Sequence, residues 1–471
     1  MASYPTYDPE VWVGGIGPKN YAAITGEANN FPNINRATSG DFVAASTFKL
    51  LTLPAAIQAG VADPKQSYSC PGSLTFDGRA YSNYEGKGEG DLTLPMIVAK
   101  SCDTAFYRWA YQLWQRDGGK QGSSDAKEHM AKMALAFGLG KRTGIDLPGE
   151  RMGRIVTRES KRRLWEATKE KACKRAEAGY TELAKTNPKH AAYVRRLDHE
   201  YCLDGYVFRG GDAINFAIGQ GDVSVTPLQM ARAYSTIANG GNLIVPQIAR
   251  AAIGPDGRVL QAFPPRTDGK VPVEAETLKF LRDSLQLTTE EGTGYGPFVR
   301  RFNEGKGWPL AELPIASKTG TGEASPNRDG TPRDTTSWYA SYAPANDPQI
   351  AVVMTVSQGG TGSGTSGPSV RDIYADLFGV QADGSIDPNK AIYPDRKPLR
   401  DLPARDADGN FVPPEKDGPT RPVIPWRPRD PEGQEGSKPA RKKPSAPTPP
   451  PVAPTAFGPV ADRPSRWEPA A

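Results

Sequence analysis

A chain of 471 residues with 37% hydrophobic content is long enough for one large domain or two ordinary ones, yet too polar to pack a core along its whole length. Its net charge of +5 is small and spread, which argues against nucleic acid as a partner, and no stretch approaches the roughly 20 apolar residues of a membrane helix. Four cysteines (Cys70, Cys102, Cys173, Cys202) form no Cys-x-x-Cys pair and three histidines are widely placed, so there is no zinc spacing and no cofactor pattern to argue from.

Residues 1–41 read as loop, punctuated by Pro5, Pro9, Gly14-Gly15, Gly17-Pro18, Asn29-Asn30 and Pro32. Met1-Ala2-Ser3-Tyr4-Pro5 has neither the basic flank nor the apolar run of a signal peptide, so on the residues alone the chain reads as soluble and unexported. Ser46-Thr47-Phe48-Lys49 then opens a helix that continues through an apolar run from Leu50 to Ile57. A second helix is predicted over Leu94–Gln115, with Ser101-Cys102-Asp103 at a break, and a third over Ser124–Phe137, stopped by Gly138.

From Arg154 to Asp204 the chain carries 13 Lys/Arg against 8 Asp/Glu, a surplus equal to that of the whole protein. This reads as a solvated helical hairpin inserted in the domain; a surface for an acidic polymer is the sharper alternative. A helix follows from Val225-Thr226-Pro227, ending at Asn239-Gly240-Gly241, with Pro227 in the first turn. The period then changes to extended. Segments 315–321, 337–342 and 349–356 predict three antiparallel strands, and a helix from Ser369 to Phe378 closes the globular part. After residue 410 the sequence holds 17 of its 45 prolines, and the tail is expected to be disordered from about residue 395. The cysteines read as unpaired buried thiols, with Cys173 and Cys202 the one pair able to bridge.

Chemistry concentrates at Ser46 and Lys49. A serine with a lysine three positions on can hold a nucleophile and its base on one helical face. The same spacing recurs at Ser124 and Lys127, but in a polar stretch where Ser124 reads as an N-cap. Lys49 instead heads an apolar helix, where burial lowers a lysine from its usual pKa of about 10.4 and makes it a base. Lys318-Thr319-Gly320-Thr321 suits a carboxylate-bearing acyl substrate laid along a strand edge. A Ser-His-Asp apparatus fits poorly, since no histidine lies at a strand end and no Gly-x-Ser-x-Gly elbow exists. Gly362-Ser363-Gly364-Thr365-Ser366-Gly367 matches a dinucleotide fingerprint, but no second parallel strand ending in an acid follows it. It reads as a flexible loop beside the active-site strand.

Taken together, Ser46-Thr47-Phe48-Lys49, Ser101-Cys102-Asp103 and Lys318-Thr319-Gly320-Thr321, 55 and then 217 residues apart, resemble the three motifs of penicillin-recognising serine acyl-transferases. Ile218-Gly219-Gln220-Gly221, Val225-Thr226-Pro227-Leu228-Gln229 and Thr336-Ser337-Trp338-Tyr339 narrow the resemblance to class B penicillin-binding proteins, and Asp103 to their elongation (rod-shape) branch. The resemblance covers about residues 1–380. The insert at about 154–205 and the tail at 381–471 look like actinobacterial variants.

The resemblance implies an α+β transpeptidase (serine β-lactamase-like) fold with an antiparallel sheet flanked by helices, and peptidoglycan D,D-transpeptidase activity through a serine acyl-enzyme. Ser46 would be the nucleophile, Lys49 its base and Ser101 a proton relay. Asp103, Lys318, Thr319, Gly320 and Thr321 would serve the substrate, and backbone N–H groups of Ser46 and Thr321 the oxyanion hole. Implied partners are peptidoglycan stem peptides and their lipid-linked precursor, β-lactam antibiotics and a membrane glycosyltransferase. The implied location is the cell membrane, with the catalytic domain outside the cytoplasm. Family members carry a membrane helix, a pedestal domain and a first strand ahead of the position of Met1, so an N-terminally truncated chain with an incomplete sheet is expected, Met1–Pro5 resembling the end of the second strand. A β-lactamase or D,D-carboxypeptidase is the alternative enzyme, disfavoured because no separate deacylating base is found. A non-catalytic β-lactam sensor or scaffold fragment is the alternative of another class.

Overall fold

In the computed structural model, residues 1–392 are described apart from 124–125, 255–258, 301–306, 325 and 328. The proline-rich tail and Ser124 lie outside them. Gly17-Pro18, read as punctuation, opens a helix instead: α1 spans Gly17–Thr25, with the proline in its first turn where no backbone N–H is needed. Met1–Pro5, expected to resemble a strand end, is irregular.

The helix expected to open at Ser46 is split in two. Ala45–Phe48 forms a 3-10 turn and α2 begins only at Lys49, running to Gln58 with Pro54 inside it. Every residue of α2 from Lys49 to Ala56 is buried, so its apolar run is core on all sides and not one amphipathic stripe. Around it stand β1 (Ser67–Cys70), the hairpin β2 (Ser73–Phe76) and β3 (Arg79–Ser82), β4 (Gly90–Thr93), α3 (Leu94–Ala99) and α4 (Asp103–Arg116). The predicted break at Ser101 is therefore a complete joint between two helices. The next helix, α5, spans His129–Ala136 and starts five residues later than predicted.

The charged segment folds as α6 (Arg158–Ala178), α7 (Thr181–Thr186) and α8 (Pro188–Asp204), with α6 packed on α8. Asp198, buried between them, accepts two hydrogen bonds from Arg175, at 2.9 and 2.8 Å, and one from Tyr180 at 2.5 Å. Lys161 on α6 pairs with Asp212 at 2.7 Å, on α9 (Gly210–Ala217). At its other end Asn187 donates to the Asp329 carbonyl at 3.2 Å, and the His190 ring lies against Gly330.

The cysteine expectation is overturned. Cys70–Cys102 and Cys173–Cys202 are both disulfides, and no free cysteine remains. The sequence separations are 32 and 29, so each ring withdraws about 3–4 kcal/mol of chain entropy from the unfolded state. Spacing alone could not show the first pair, because it joins a strand end to a helix start.

α10 (Pro227–Ala238) opens with a capping box in which Thr226 and Gln229 satisfy each other's backbone N–H groups. The strand Asn242–Ile244 pairs with Thr267–Lys270, and Ala249–Phe263 is a separate small unit in which Ala251–Ile253 pairs with Val259–Ala262. α11 (Ala275–Glu290) buries Leu278, Leu281 and Leu285 and packs on α3 and on the sheet.

The sheet consists of β5 (Ala316–Gly322), β6 (Thr336–Ala343) and β7 (Ile350–Val356), antiparallel in the order β7-β6-β5. β6 is buried at every position. Trp338, Ala340 and Tyr342 face the main core with α2 and α10, while Tyr339 and Ala343 face a second core with Phe298, Ile315 and Tyr374 of α12 (Gly367–Phe378). β7 is partly exposed along its length. The glycine-rich 362–367 segment is no free loop: Gly362–Ser366 is a helical turn leading into α12, seated so close to β5 and β6 that a Cβ on Gly362 would collide with the carbonyls of Trp338 and Gly320.

Because α2 is enclosed, its side chains have nowhere to relax. Leu53→Ala is expected to cost about 2–5 kcal/mol, measured by denaturant unfolding monitored through tryptophan fluorescence; a loss below about 1 kcal/mol would contradict the enclosed position.

Candidate active site

The 3-10 turn has a direct consequence for chemistry. Side chains at i and i+3 eclipse in such a turn, so Ser46 and Lys49 point the same way more directly than on an α-helix. Ala45, just before the serine, has φ +52, a left-handed conformation that costs a residue with a Cβ about 1–3 kcal/mol. Neighbours hold it there. Ala45 N–H donates to the Gly219 carbonyl at 3.0 Å, the Tyr234 hydroxyl to the Thr47 carbonyl at 3.0 Å, and the Trp338 indole N–H to the Val43 carbonyl at 2.8 Å. Gly219 has φ +69 and sits where a Cβ would lie 2.6 Å from both the Ala45 carbonyl oxygen and Phe48 Cβ. That explains the Ile218-Gly219-Gln220-Gly221 loop as backing for the serine turn.

Lys49 is fully buried. Its Nζ donates to Ser101 Oγ at 3.0 Å and to the Ser101 carbonyl at 2.8 Å, and lies 5.2 Å from the centre of the Phe106 ring. Asp103 Oδ1 is 2.7 Å from the same nitrogen but off the hydrogen-bonding direction, so this contact is an ion pair and not a directed bond. Lys318, on β5, is equally buried, and its Nζ donates to Ser101 Oγ at 2.8 Å and to the Thr319 carbonyl at 3.1 Å. One serine hydroxyl thus joins two buried lysines. Among the described residues Ser46 Oγ makes no hydrogen bond, so both lysines are engaged by Ser101 while the nucleophile stands free.

Burial pushes the Lys49 ammonium below the ordinary lysine range, and Asp103 works against that shift. Lys318 is pushed down further: burial acts first, the neighbouring charge of Lys49 adds to it, and Asp103 again opposes. Of the two, Lys318 is the amine that burial and its neighbour discharge more readily, and Ser101 Oγ lies within hydrogen-bond reach of both.

β5 is an end strand of the sheet, so among the described residues no strand pairs with its outer edge. Thr319 shares a 2.6 Å contact with the Thr293 hydroxyl, and the Gly362 N–H approaches Thr321 Oγ at 3.5 Å. A Cβ on Gly320 would lie 3.0 Å from Trp338 Cβ, 3.2 Å from Thr47 Cγ2 and 3.4 Å from Ala45 Cβ. The glycine lets the strand lie against the serine turn.

All of Ser46, Lys49, Ser101, Asp103, Lys318, Thr319, Gly320 and Thr321 thus converge on one place. Asp103, grouped with the substrate-binding residues from sequence, lies against Lys49. Sequence reasoning missed Thr293, whose flanking Gly292 and Gly294 were its available signal: a Cβ at 292 would strike the Ala99 backbone and one at 294 would come 2.5 Å from Ser317 Oγ. It also missed Asn83, whose Oδ1 accepts from the Thr104 N–H at 2.9 Å in the first turn of α4 and which nothing in its local sequence marks. Among the described residues no cluster of three or more His, Cys, Asp or Glu could hold a metal, and His129 bonds Asp117 at 2.7 Å.

A family model described as the penicillin binding protein transpeptidase domain matches residues 1–375. The chain belongs to the penicillin-binding protein transpeptidase family. As such, this transpeptidase domain is 27% identical over 399 residues to the peptidoglycan D,D-transpeptidase MrdA of Salmonella typhimurium strain SL1344, covering 81% of this chain and 54% of that protein. It is 28% identical over 392 residues to the peptidoglycan D,D-transpeptidase PbpA of Mycolicibacterium smegmatis, covering 80% and 63%. It also superposes, with a TM-score of 0.59 and 28% identity over 81% of this chain and 53% of the other, on a chain of a peptidoglycan synthase complex that coordinates polymerization and crosslinking. The chain spans about half the length of the curated relatives it matches. Enterobacterial and mycobacterial relatives match alike, so the matches do not single out an actinobacterial branch.

Asp103 holds the proton on Lys49, so its removal has a defined sign. In Asp103→Asn the amine loses its counter-charge and becomes neutral at lower pH. The acid limb of the pH profile for acylation by a β-lactam is expected to move down by about a unit or more; an upward shift, measured by quenched-flow mass spectrometry, would contradict this.

Proposed function

We propose that the chain is the transpeptidase part of an elongation-type class B penicillin-binding protein, cross-linking peptidoglycan stem peptides through a serine acyl-enzyme. The observation that carries this reading is the Ser101 hydroxyl held between two buried lysines beside an unbonded serine. Such a hydroxyl can accept a proton from one amine while giving its own to the other, so a proton reaches and leaves the nucleophile's base inside a buried site.

In this mechanism Lys49 first passes its proton through the Ser101 hydroxyl to Lys318, and its neutral amine then takes the proton of Ser46 Oγ as this oxygen attacks the penultimate D-Ala carbonyl of a donor stem. The tetrahedral oxyanion is met by the N–H groups of Ser46 and Thr321. The C–N bond to the terminal D-Ala breaks, and that amine leaves with a proton delivered through Ser101. The terminal carboxylate is held by Lys318, Thr319 and Thr321. An amine from a neighbouring stem then attacks the ester, gives its proton back to the lysine pair and regenerates Ser46 with a new amide bond. A β-lactam enters the same path but keeps its leaving amine tethered.

Two further points support placing this domain outside the cytoplasm at the membrane, next to lipid-linked precursor and a membrane glycosyltransferase. Both cysteine pairs are oxidised, as an oxidising compartment allows. The similar synthase complex joins polymerization to crosslinking.

Intact-mass analysis after exposure to benzylpenicillin tests the chemistry. One adduct per chain, persisting for minutes or longer, is expected in the wild type, with its formation abolished in Ser46→Ala and slowed by about a thousandfold or more in Lys49→Ala. Labelling that survives Ser46→Ala would sink the reading.

A further inference from the structure

Ser101 has φ +59, a left-handed backbone conformation that few residues other than glycine adopt. It lies in the three-residue joint between α3, which ends at Ala99, and α4, which begins at Asp103. On the α3 side the joint is closed by ordinary backbone bonds, Ser101 N–H to the Val98 carbonyl at 3.1 Å and Cys102 N–H to the Ile97 carbonyl at 3.0 Å. The α4 side is built differently. Cys102 stands at the N-cap but its side chain makes no capping hydrogen bond; it is spent on the disulfide to Cys70 at the end of β1.

The capping duty has passed to Asn83, just after β3. Its Oδ1 accepts from the Thr104 N–H at 2.9 Å, while its Nδ2 donates to the carbonyls of Pro71 at 2.9 Å and Lys87 at 2.8 Å. Thr104 Oγ also donates to the Pro71 carbonyl, at 3.0 Å. One covalent bond and a set of hydrogen bonds therefore tie the Cys70-Pro71 corner to the first turn of α4, all within three residues of Ser101. Both cysteines are buried.

We propose that the Cys70–Cys102 disulfide, seconded by Asn83, is the positioning device that holds Ser101 Oγ between Lys49 and Lys318. This rests on the reading of Ser101 as the proton relay. The reason for assigning it position and not merely stability is internal to the molecule. Cys173–Cys202 in the helical insert closes a loop of almost the same length, 29 against 32 residues, and so restricts the unfolded chain to the same degree, yet it joins α6 to α8, which carry none of the site residues. With the first bond absent, the joint is free to relax toward common backbone angles, carrying the hydroxyl off one or both lysines, and displacements of this kind cost rate far more than they cost binding.

The test compares the oxidised wild-type chain with Cys70→Ser/Cys102→Ser and Cys173→Ser/Cys202→Ser, using benzylpenicillin. Pre-equilibrium dissociation constant, first-order acylation constant, labelled fraction and the pH profile of acylation are measured for each. The expected result for the Cys70/Cys102 pair is an acylation constant lowered by about tenfold or more, with an altered pH profile, an unchanged dissociation constant and full final labelling. The insert pair stays within about twofold of wild type. Should the first variant fold poorly, wild type reduced with a phosphine to four titratable thiols reads the same constant, and reoxidation is expected to restore it. The proposal is overturned if the Cys70/Cys102 variant or the reduced chain acylates within about twofold of wild type, or if both variants lose rate alike. Absence of any adduct in oxidised wild type would instead overturn the acyl-enzyme reading beneath it.

Discussion

Two lysine side chains with no solvent exposure, joined through one hydroxyl, are the constraint around which the chain is arranged. Desolvating even one such charge costs several kcal/mol unless it is paired or gives up its proton. The protein uses both escapes. Lys49 keeps a carboxylate at 2.7 Å and an aromatic face at 5.2 Å, whereas Lys318 has another lysine for a neighbour and is driven toward neutrality. In such an asymmetric pair the proton is held more firmly by Lys49 than by Lys318, and acyl transfer needs a donor and an acceptor twice per cycle.

Keeping that pair in place requires a scaffold that does not yield. α2 carries Lys49 from inside the core, β5 carries Lys318 from the sheet, and the α3–α4 joint carries Ser101 from a third direction. The serine turn is fitted between them by close approaches, one at Gly219 that leaves no room for a Cβ and a tight one at Gly320 on the other side. Strained backbone at Ala45 and Ser101 is sustained because each strained residue is bonded to elements remote in sequence. The energy for this comes from ordinary packing of Trp338, Tyr234 and the leucines of α2.

Much of this was legible beforehand. The three motif segments, the strands from 316 to 356 and the helix after Thr226 are local signals: a lysine in an apolar run, a period of two, a proline in a first helical turn. The misses have a common cause. Whether Cys70 meets Cys102, whether Thr293 reaches Thr319, and whether Ser46 sits on a 3-10 turn or an α-helix all depend on elements brought together only by the tertiary fold. Gly17-Pro18 misled for a different reason, since the same dipeptide that breaks a helix from within also begins one. The 362–367 glycines, taken for freedom, are in fact a consequence of crowding.

Among its contacts with the body, the charged insert meets Asp212 through Lys161 near one end and Asp329 and Gly330 through Asn187 and His190 near the other. The second contact falls on the long connection between β5 and β6, directly downstream of Thr321. A segment of that length ordinarily samples many shapes, and a brace from outside narrows them. The insert is thus a strut as well as a charge carrier: its surface residues can diversify freely, while its length and its internal cross-link are tied to the spacing between Asp212 and the β5–β6 connection.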